Sequence, residues 1–79
     1  MNAQEKEKEQ ERHAALLRQY LEQSGVKQYE LASRLGIAAP NVTDWLSKKR
    51  SVPVRRAKKI EQVTQGAILR RDLFPELFN

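Results

Sequence analysis

Apolar residues recur at the three- and four-residue spacing of a helix in four stretches of the chain. Each stripe provides one helix face that can be buried, and polar residues occupy the other faces. Helices are therefore predicted over about residues 12–23, 28–35, 39–46 and 53–65. Glycine suits the left-handed conformation that ends many helices, and Gly25, Gly36 and Gly66 follow three of these stripes. No strand pattern is convincing, so we expect a compact all-α domain of four to five helices.

The two ends of the chain differ in composition. Residues 1–11 are rich in Glu, Lys and Gln and nearly free of apolar side chains, so we expect a flexible charged tail or a frayed extension of the first helix. Residues 12–79 then form the single domain. This domain ends in an apolar cluster that contains Ile68, Leu69, Leu73, Phe74, Leu77 and Phe78.

The apolar cluster at the end of the chain has two interpretations. It closes the core of its own chain, or it forms the interface of a homodimer. We expect both, with Ile68 and Leu69 inward and Phe74, Leu77 and Phe78 shared between subunits. A strand exchanged between subunits and a short fifth helix are both compatible with the pattern.

The segment from Gln28 to Ser47 is typical of a helix-turn-helix corner. Small Ala32 permits close approach of the two helices, and Gly36 provides the positive φ that the tight turn requires. Ile37, Val42 and Trp45 supply the apolar contacts beneath it. An ordinary helical bundle can use the same corner, so the corner alone does not indicate DNA binding.

Charge strengthens the case for DNA. The chain has a net charge of +5, and seven basic residues with no acidic one lie between positions 48 and 59. A solvated basic face explains such a run equally well when it stands alone. Its position directly after the corner favours a phosphate backbone as the partner.

In this interpretation the third helix enters the major groove of double-stranded DNA. The residues predicted to lie at the base edges are Ala39, Pro40, Asn41, Thr43, Asp44 and Ser47. The residues predicted to contact phosphates are Lys27, Gln28, Lys48, Lys49, Arg50, Arg55 and Arg56. Asp44 has a second interpretation as an ion-pair partner of Lys48, four residues further on. Arg18 and Arg34 are interpreted as surface residues without a DNA contact.

Other classes of function find little support. Without cysteine the chain has no disulfide or thiolate metal site, and its apolar runs are too short for a membrane span. The charged N-terminus does not resemble a signal peptide, so we expect a cytoplasmic protein. His13, the single histidine, is expected to be solvated rather than catalytic. We therefore expect no enzyme, no metal, no cofactor and no small-molecule ligand.

Several longer stretches resemble one known family. They are residues 32–37, 42–45, 50–61, 64–68 and 71–76. Together they resemble the Cro-like and YdaS-like regulators of phages and prophages, over about residues 16–77. The resemblance implies a lambda-repressor-like fold and a homodimeric repressor of two-fold symmetric operators in the nucleoid of a prokaryotic host. Ala39 and Pro40 depart from the polar residues common in relatives, so the first bases would be read through thymine methyls or DNA shape.

An alternative in the interaction class is an antitoxin-like or adaptor protein. Its main partner would be another protein, bound by the charged N-terminus and the apolar C-terminal cluster. DNA binding would then serve only to regulate its own synthesis.

Overall fold

The computed structural model describes residues 3–78, and these form five helices without a strand. Met1 and Asn2 of the predicted tail, and Asn79 at the other end, lie outside the described residues. The helices are α1 (Ala3–Ser24), α2 (Gln28–Leu35), α3 (Ala39–Leu46), α4 (Val54–Val63) and α5 (Arg70–Leu73). The all-α prediction is confirmed, and the final element is a short helix rather than a strand.

One core joins all five helices. α2 packs most closely on α3, while α1 lies against both α3 and α5. The buried apolar side chains are Ala14, Leu17, Leu31, Ala32, Leu35, Val42, Trp45, Val52, Ala57, Ile60, Ile68, Leu73 and Phe74. Every predicted stripe contributes at least one of them, so the helical periodicity identified the inward faces correctly.

Helix α1 is longer than its apolar stripe predicts. It begins at Ala3 rather than near Arg12, so the described part of the charged segment is helical throughout. Its residues are good helix formers, and Glu9 accepts a hydrogen bond from the Ser51 hydroxyl at 3.2 Å. This contact joins the charged half of α1 to the segment before α4.

The turn between α2 and α3 is closed by two backbone hydrogen bonds. Gly36 donates to the Ser33 carbonyl at 3.1 Å, and Ile37 donates to the Ala32 carbonyl at 3.0 Å. This pair of bonds defines a Schellman motif, which requires a left-handed residue at its centre. Gly36 has φ 73°, as the sequence predicts.

Helix α4 and the C-terminal segment are held together by polar side chains. Pro53 precedes the helix as its N-cap, one position later than predicted. The buried Thr64 hydroxyl accepts the Ile68 N–H at 3.2 Å, and Glu61 Oε1 accepts the Arg70 N–H at 2.8 Å. These bonds direct the segment after α4 back onto the core, where α5 forms.

Phe74 corrects one part of the dimer prediction. Its side chain is 4% exposed and packs in the core of its own chain, so only a small part of its surface is left for a second subunit. Leu77 is exposed and Phe78 is half-buried against the core. Of the three residues predicted for the dimer interface, Leu77 alone is largely accessible.

His13 is buried, so the prediction of a solvated histidine is wrong. Nδ1 accepts the Val52 N–H at 3.0 Å, which leaves the ring proton on Nε2 to donate to the Leu73 carbonyl at 2.8 Å. The ring also meets Phe74 edge to face, with centroids 4.9 Å apart. One neutral imidazole thus joins α1 to the segment before α4 and to α5.

No helix among the described residues is both long and apolar enough to cross a membrane.

Replacing Gly36 should destabilise the corner through its backbone. A Cβ at this position would meet no atom within 4 Å, so the cost comes from φ alone. We expect Gly36→Val to lower the free energy of unfolding by about 2 kcal/mol and Gly36→Asn, which tolerates the left-handed region, by about half of that. Urea unfolding measures both, and equal stabilities for Val and glycine would contradict the Schellman geometry.

Stability should fall in mild acid because of His13. Desolvation by burial lowers its pKa below 6.5, although the Leu73 carbonyl and Glu9 oppose the shift. As pH falls from 6.5 towards the folded pKa, the unfolded chain binds a proton that the folded chain refuses. The stability provided by the neutral ring is therefore complete above pH 6.5 and is lost below it.

Urea unfolding at pH 7.5 and 5.5 measures this loss. We expect the parent to be less stable at pH 5.5, and His13→Gln, which retains a donor and an acceptor, to be less pH-sensitive. An equal loss in parent and variant would assign the pH dependence to other groups.

Candidate nucleic-acid interface

One side of α3 is buried and the opposite side is accessible. Val42 and Trp45 are buried, whereas Pro40, Thr43 and Ser47 are exposed. The remaining residues predicted for base reading are half-buried; they are Ala39, Asn41 and Asp44. The structure therefore leaves one edge of α3, with Thr43 and Ser47, open to solvent.

Thr43 connects α3 to the beginning of α2. Its hydroxyl lies 3.2 Å from Gln28 Oε1 and 3.4 Å from the Ala39 carbonyl, and its single proton serves one of them at a time. Gln28 is the first residue of α2 and is exposed. The two predicted contact residues are thus brought together, and the Gln28 amide keeps N–H donors for another partner.

The beginning of α3 is apolar and locally satisfied. Ala38 is its N-cap, and Pro40 occupies the first turn, where proline removes no backbone hydrogen bond. Asn41 turns its amide back to the Ala38 carbonyl, with Nδ2 at 3.3 Å. Ala39 and Pro40 offer only carbon at this end of α3.

Helix α3 ends in a second Schellman motif. Lys48 donates to the Trp45 carbonyl at 3.3 Å, and Lys49 donates to the Asp44 carbonyl at 2.9 Å. Lys48 takes the left-handed position with φ 66°, where glycine is normally preferred. The basic residues of this turn are thereby held close to the end of α3, with Lys48, Lys49 and Arg50 all exposed.

Asp44 is paired, but not with Lys48. Its Oδ2 lies 3.8 Å from Arg50 Nε, and the Asp44 carbonyl also accepts the Arg50 N–H at 3.3 Å. The Arg50 side chain is 73% exposed, so this ion pair contributes little stability. The carboxylate and the guanidinium therefore remain exchangeable with other partners.

The other basic residues stand apart from this cluster. Lys27 precedes α2 and is exposed, and its N–H donates to Glu30 Oε1 at 3.1 Å. Arg55 and Arg56 lie in the first turn of α4, exposed and half-buried respectively. Their roles as phosphate contacts stay predictions.

Two residues near this surface were not predicted. Arg18 of α1 donates to the Leu46 carbonyl, at 3.5 Å, and so lies at the end of α3. Tyr29 follows Gln28 and is 67% exposed. The sequence could have indicated the exposure of Tyr29, because this residue lies off the apolar stripe of α2. The contact of Arg18 with the end of α3 joins residues far apart in sequence, so no local pattern indicates it.

Comparison with known proteins identifies the family. A family model described as bacterial toxin YdaS matches residues 17–79. The chain belongs to this family. All the predicted interface residues lie within the matched region, and the resemblance to YdaS-like regulators is confirmed.

One curated relative of this YdaS family member has a name that describes a function. It is "Putative transcriptional regulator YdaS" of Escherichia coli (strain K12), 34% identical over 50 residues. The alignment covers 63% of this chain and 51% of the relative, so the chain spans about half the length of that protein. No solved structure matches the chain.

Proposed function

We propose that this chain is a sequence-specific regulator that binds double-stranded DNA rather than an enzyme, and that it represses palindromic operators as a Cro-type homodimer. The observation that supports this most is the exposed polar edge of α3, held by Gln28 at one end and followed by three exposed basic residues at the other. The name of the Escherichia coli relative agrees with a regulatory role.

The dimensions of α3 suit the major groove. An α-helix with its side chains is about 10–12 Å in diameter, and the major groove of B-DNA is about 12 Å wide. Thr43 lies on the exposed side, where its methyl can contact thymine and its oxygen can accept a hydrogen bond. Ala39 and Pro40 offer carbon to thymine methyls.

Phosphate contacts come from both ends of the corner. The side-chain oxygen of Gln28 accepts the Thr43 hydroxyl, so the N–H groups of the same amide remain to donate to a phosphate. N–H groups of the first turn of α2 lack partners within the helix and favour an anion. Lys48, Lys49 and Arg50 provide the positive charge on the other side of the recognition helix.

Asp44 shapes specificity in this proposal. A carboxylate repels phosphate, but it can accept a hydrogen bond from a cytosine amino group. In the free protein this carboxylate pairs with Arg50 at 3.8 Å. When Arg50 turns to a phosphate, Asp44 is released to a base.

Selection of bound sites from a random duplex library tests DNA binding and two-fold symmetry together.

For the enriched sites, changing Lys48, Lys49 and Arg50 to Ala should weaken binding to every sequence. The slope of log K against log salt should also become shallower, by about 0.9 for each phosphate that the variant no longer neutralises. Changing three basic residues of α1 and α4, Lys6, Lys58 and Lys59, to Ala matches the loss of charge. An equal change in slope for both triple variants would contradict a localised phosphate contact.

Thr43 and Asp44 should determine which sites are selected. Thr43→Ala and Asp44→Ala each remove a polar group from the exposed edge, and each should cost about 1–3 kcal/mol at one base position while leaving others unchanged. Repeating the library selection with each variant measures this. Enrichment of the parental sites by both variants would show that α3 does not read bases.

The matching family is described as a bacterial toxin, so the second candidate function that we consider is inhibition of growth. The two functions are compatible if inhibition follows from occupying DNA sites. Expressing the parent and the triple variant of Lys48, Lys49 and Arg50 in cells tests whether growth inhibition depends on DNA binding. Loss of inhibition in the variant would link inhibition to DNA, whereas full inhibition would point to another target.

A further inference from the structure

A groove of about 440 Å³ runs beside the first half of α1, and none of the residues assigned to DNA lines it. Its apolar wall is formed by Val54, Phe74 and Leu77, and Glu76 lies at its rim. Val54 is 47% exposed and Leu77 is 59% exposed. Among the described residues these are two of the three large apolar side chains that remain exposed, the third being Tyr29 on α2.

The other wall of the groove consists of charged residues on one face of α1. Glu5, Lys8, Glu9 and Arg12 all line it, and their spacing of three, four and seven residues places them on one side of the helix. Their order is acidic, basic, acidic, basic. This order is self-complementary about a point midway between Lys8 and Glu9.

A two-fold axis at that point would bring opposite charges together. In two antiparallel copies of α1, Lys8 of one copy faces Glu9 of the other, and Glu5 faces Arg12. Each contact occurs twice, as the symmetry of a two-fold interface requires. The Lys8 side chain is exposed, and Glu9 uses only Oε2 to bind Ser51, so the central pair is free to form.

We propose that a second copy of this chain docks in the groove, its α1 antiparallel to the first and crossing it between Lys8 and Glu9. Leu77 and Val54 of each copy then lie beside the partner helix and are shielded from water. The inference deepens the homodimer of the proposed function, although the pairing itself requires no DNA.

The length of α1 is compatible with operator binding by this dimer. Arg18, which contacts the end of α3, lies about 14 Å along α1 from the crossing point. The two Arg18 positions are therefore about 29 Å apart along the helix axes. That distance is comparable to the ~34 Å between successive major grooves on one face of DNA.

The dimer should be weak and salt-sensitive without DNA. Exposed ion pairs contribute little individually, and only two exposed apolar side chains per copy add to them. Adjacent half-sites would raise the effective concentration of the second copy and complete the dimer.

Charge exchange within α1 tests the pairing. Sedimentation equilibrium at low salt should show self-association about tenfold weaker for Lys8→Glu and for Glu9→Lys, since each introduces two like-charge contacts per dimer. The double variant K8E/E9K restores opposite charges and should return to within about twofold of the parent. An equimolar mixture of the two single variants should associate more strongly than either alone.

Lys6→Glu is the matched control, because it makes the same change of charge on α1 at a residue that does not line the groove. Equal weakening by Lys6→Glu and Lys8→Glu would overturn the proposal, and so would failure of the double variant to recover. Affinity for a single half-site duplex reports on DNA binding separately. Lys6→Glu and Lys8→Glu should bind the half-site duplex with equal affinity. If they do, but self-association does not follow the charge pattern, the docking face is wrong and the proposed function stands.

Discussion

The structure depends first on the packing of α2 against α3. Neither helix exceeds eight residues, so neither would be stable alone. The Schellman motif around Gly36 fixes the direction of the chain between them, and burial of Ala32 and Val42 holds the two helices together. Thr43 reaches Gln28 only because of this arrangement. The same packing that stabilises the domain therefore also sets the polar edge proposed to read DNA.

A second constraint joins the ends of the domain. The neutral ring of His13 binds Val52 with one nitrogen and Leu73 with the other. Because these partners are 39 and 60 residues away in sequence, one side chain on α1 orders both the segment before α4 and helix α5. The groove beside α1 depends on the same contacts, since Phe74 packs on the His13 ring. Burial of one titratable group thus links the stability of the fold to the shape of a proposed interface.

Periodicity predicted the fold class, the inward faces and the glycine turn, because these follow from local spacing. It could not predict His13, since a lone histidine beside charged residues has no local pattern that distinguishes a buried ring from a solvated one. The extension of α1 to Ala3 was missed because the apolar stripe stops earlier, although the helix propensity continues. The second interpretation of Asp44, an ion pair with Lys48, followed from the four-residue spacing and is wrong. The left-handed turn at Lys48 brings Arg50 to Asp44 instead.

In the proposed function, that turn gives up some stability to place a charged side chain. A residue with a side chain at φ 66° is less stable than glycine in the same place, by about 1 kcal/mol. The equivalent motif at the end of α2 has Gly36 in this position, where no phosphate contact is proposed. At the end of α3 a lysine occupies the strained position, and its exposed ammonium group lies next to the proposed recognition helix. Strain of this kind is found at binding sites, and the proposed phosphate contact offers a reason for a lysine at this position.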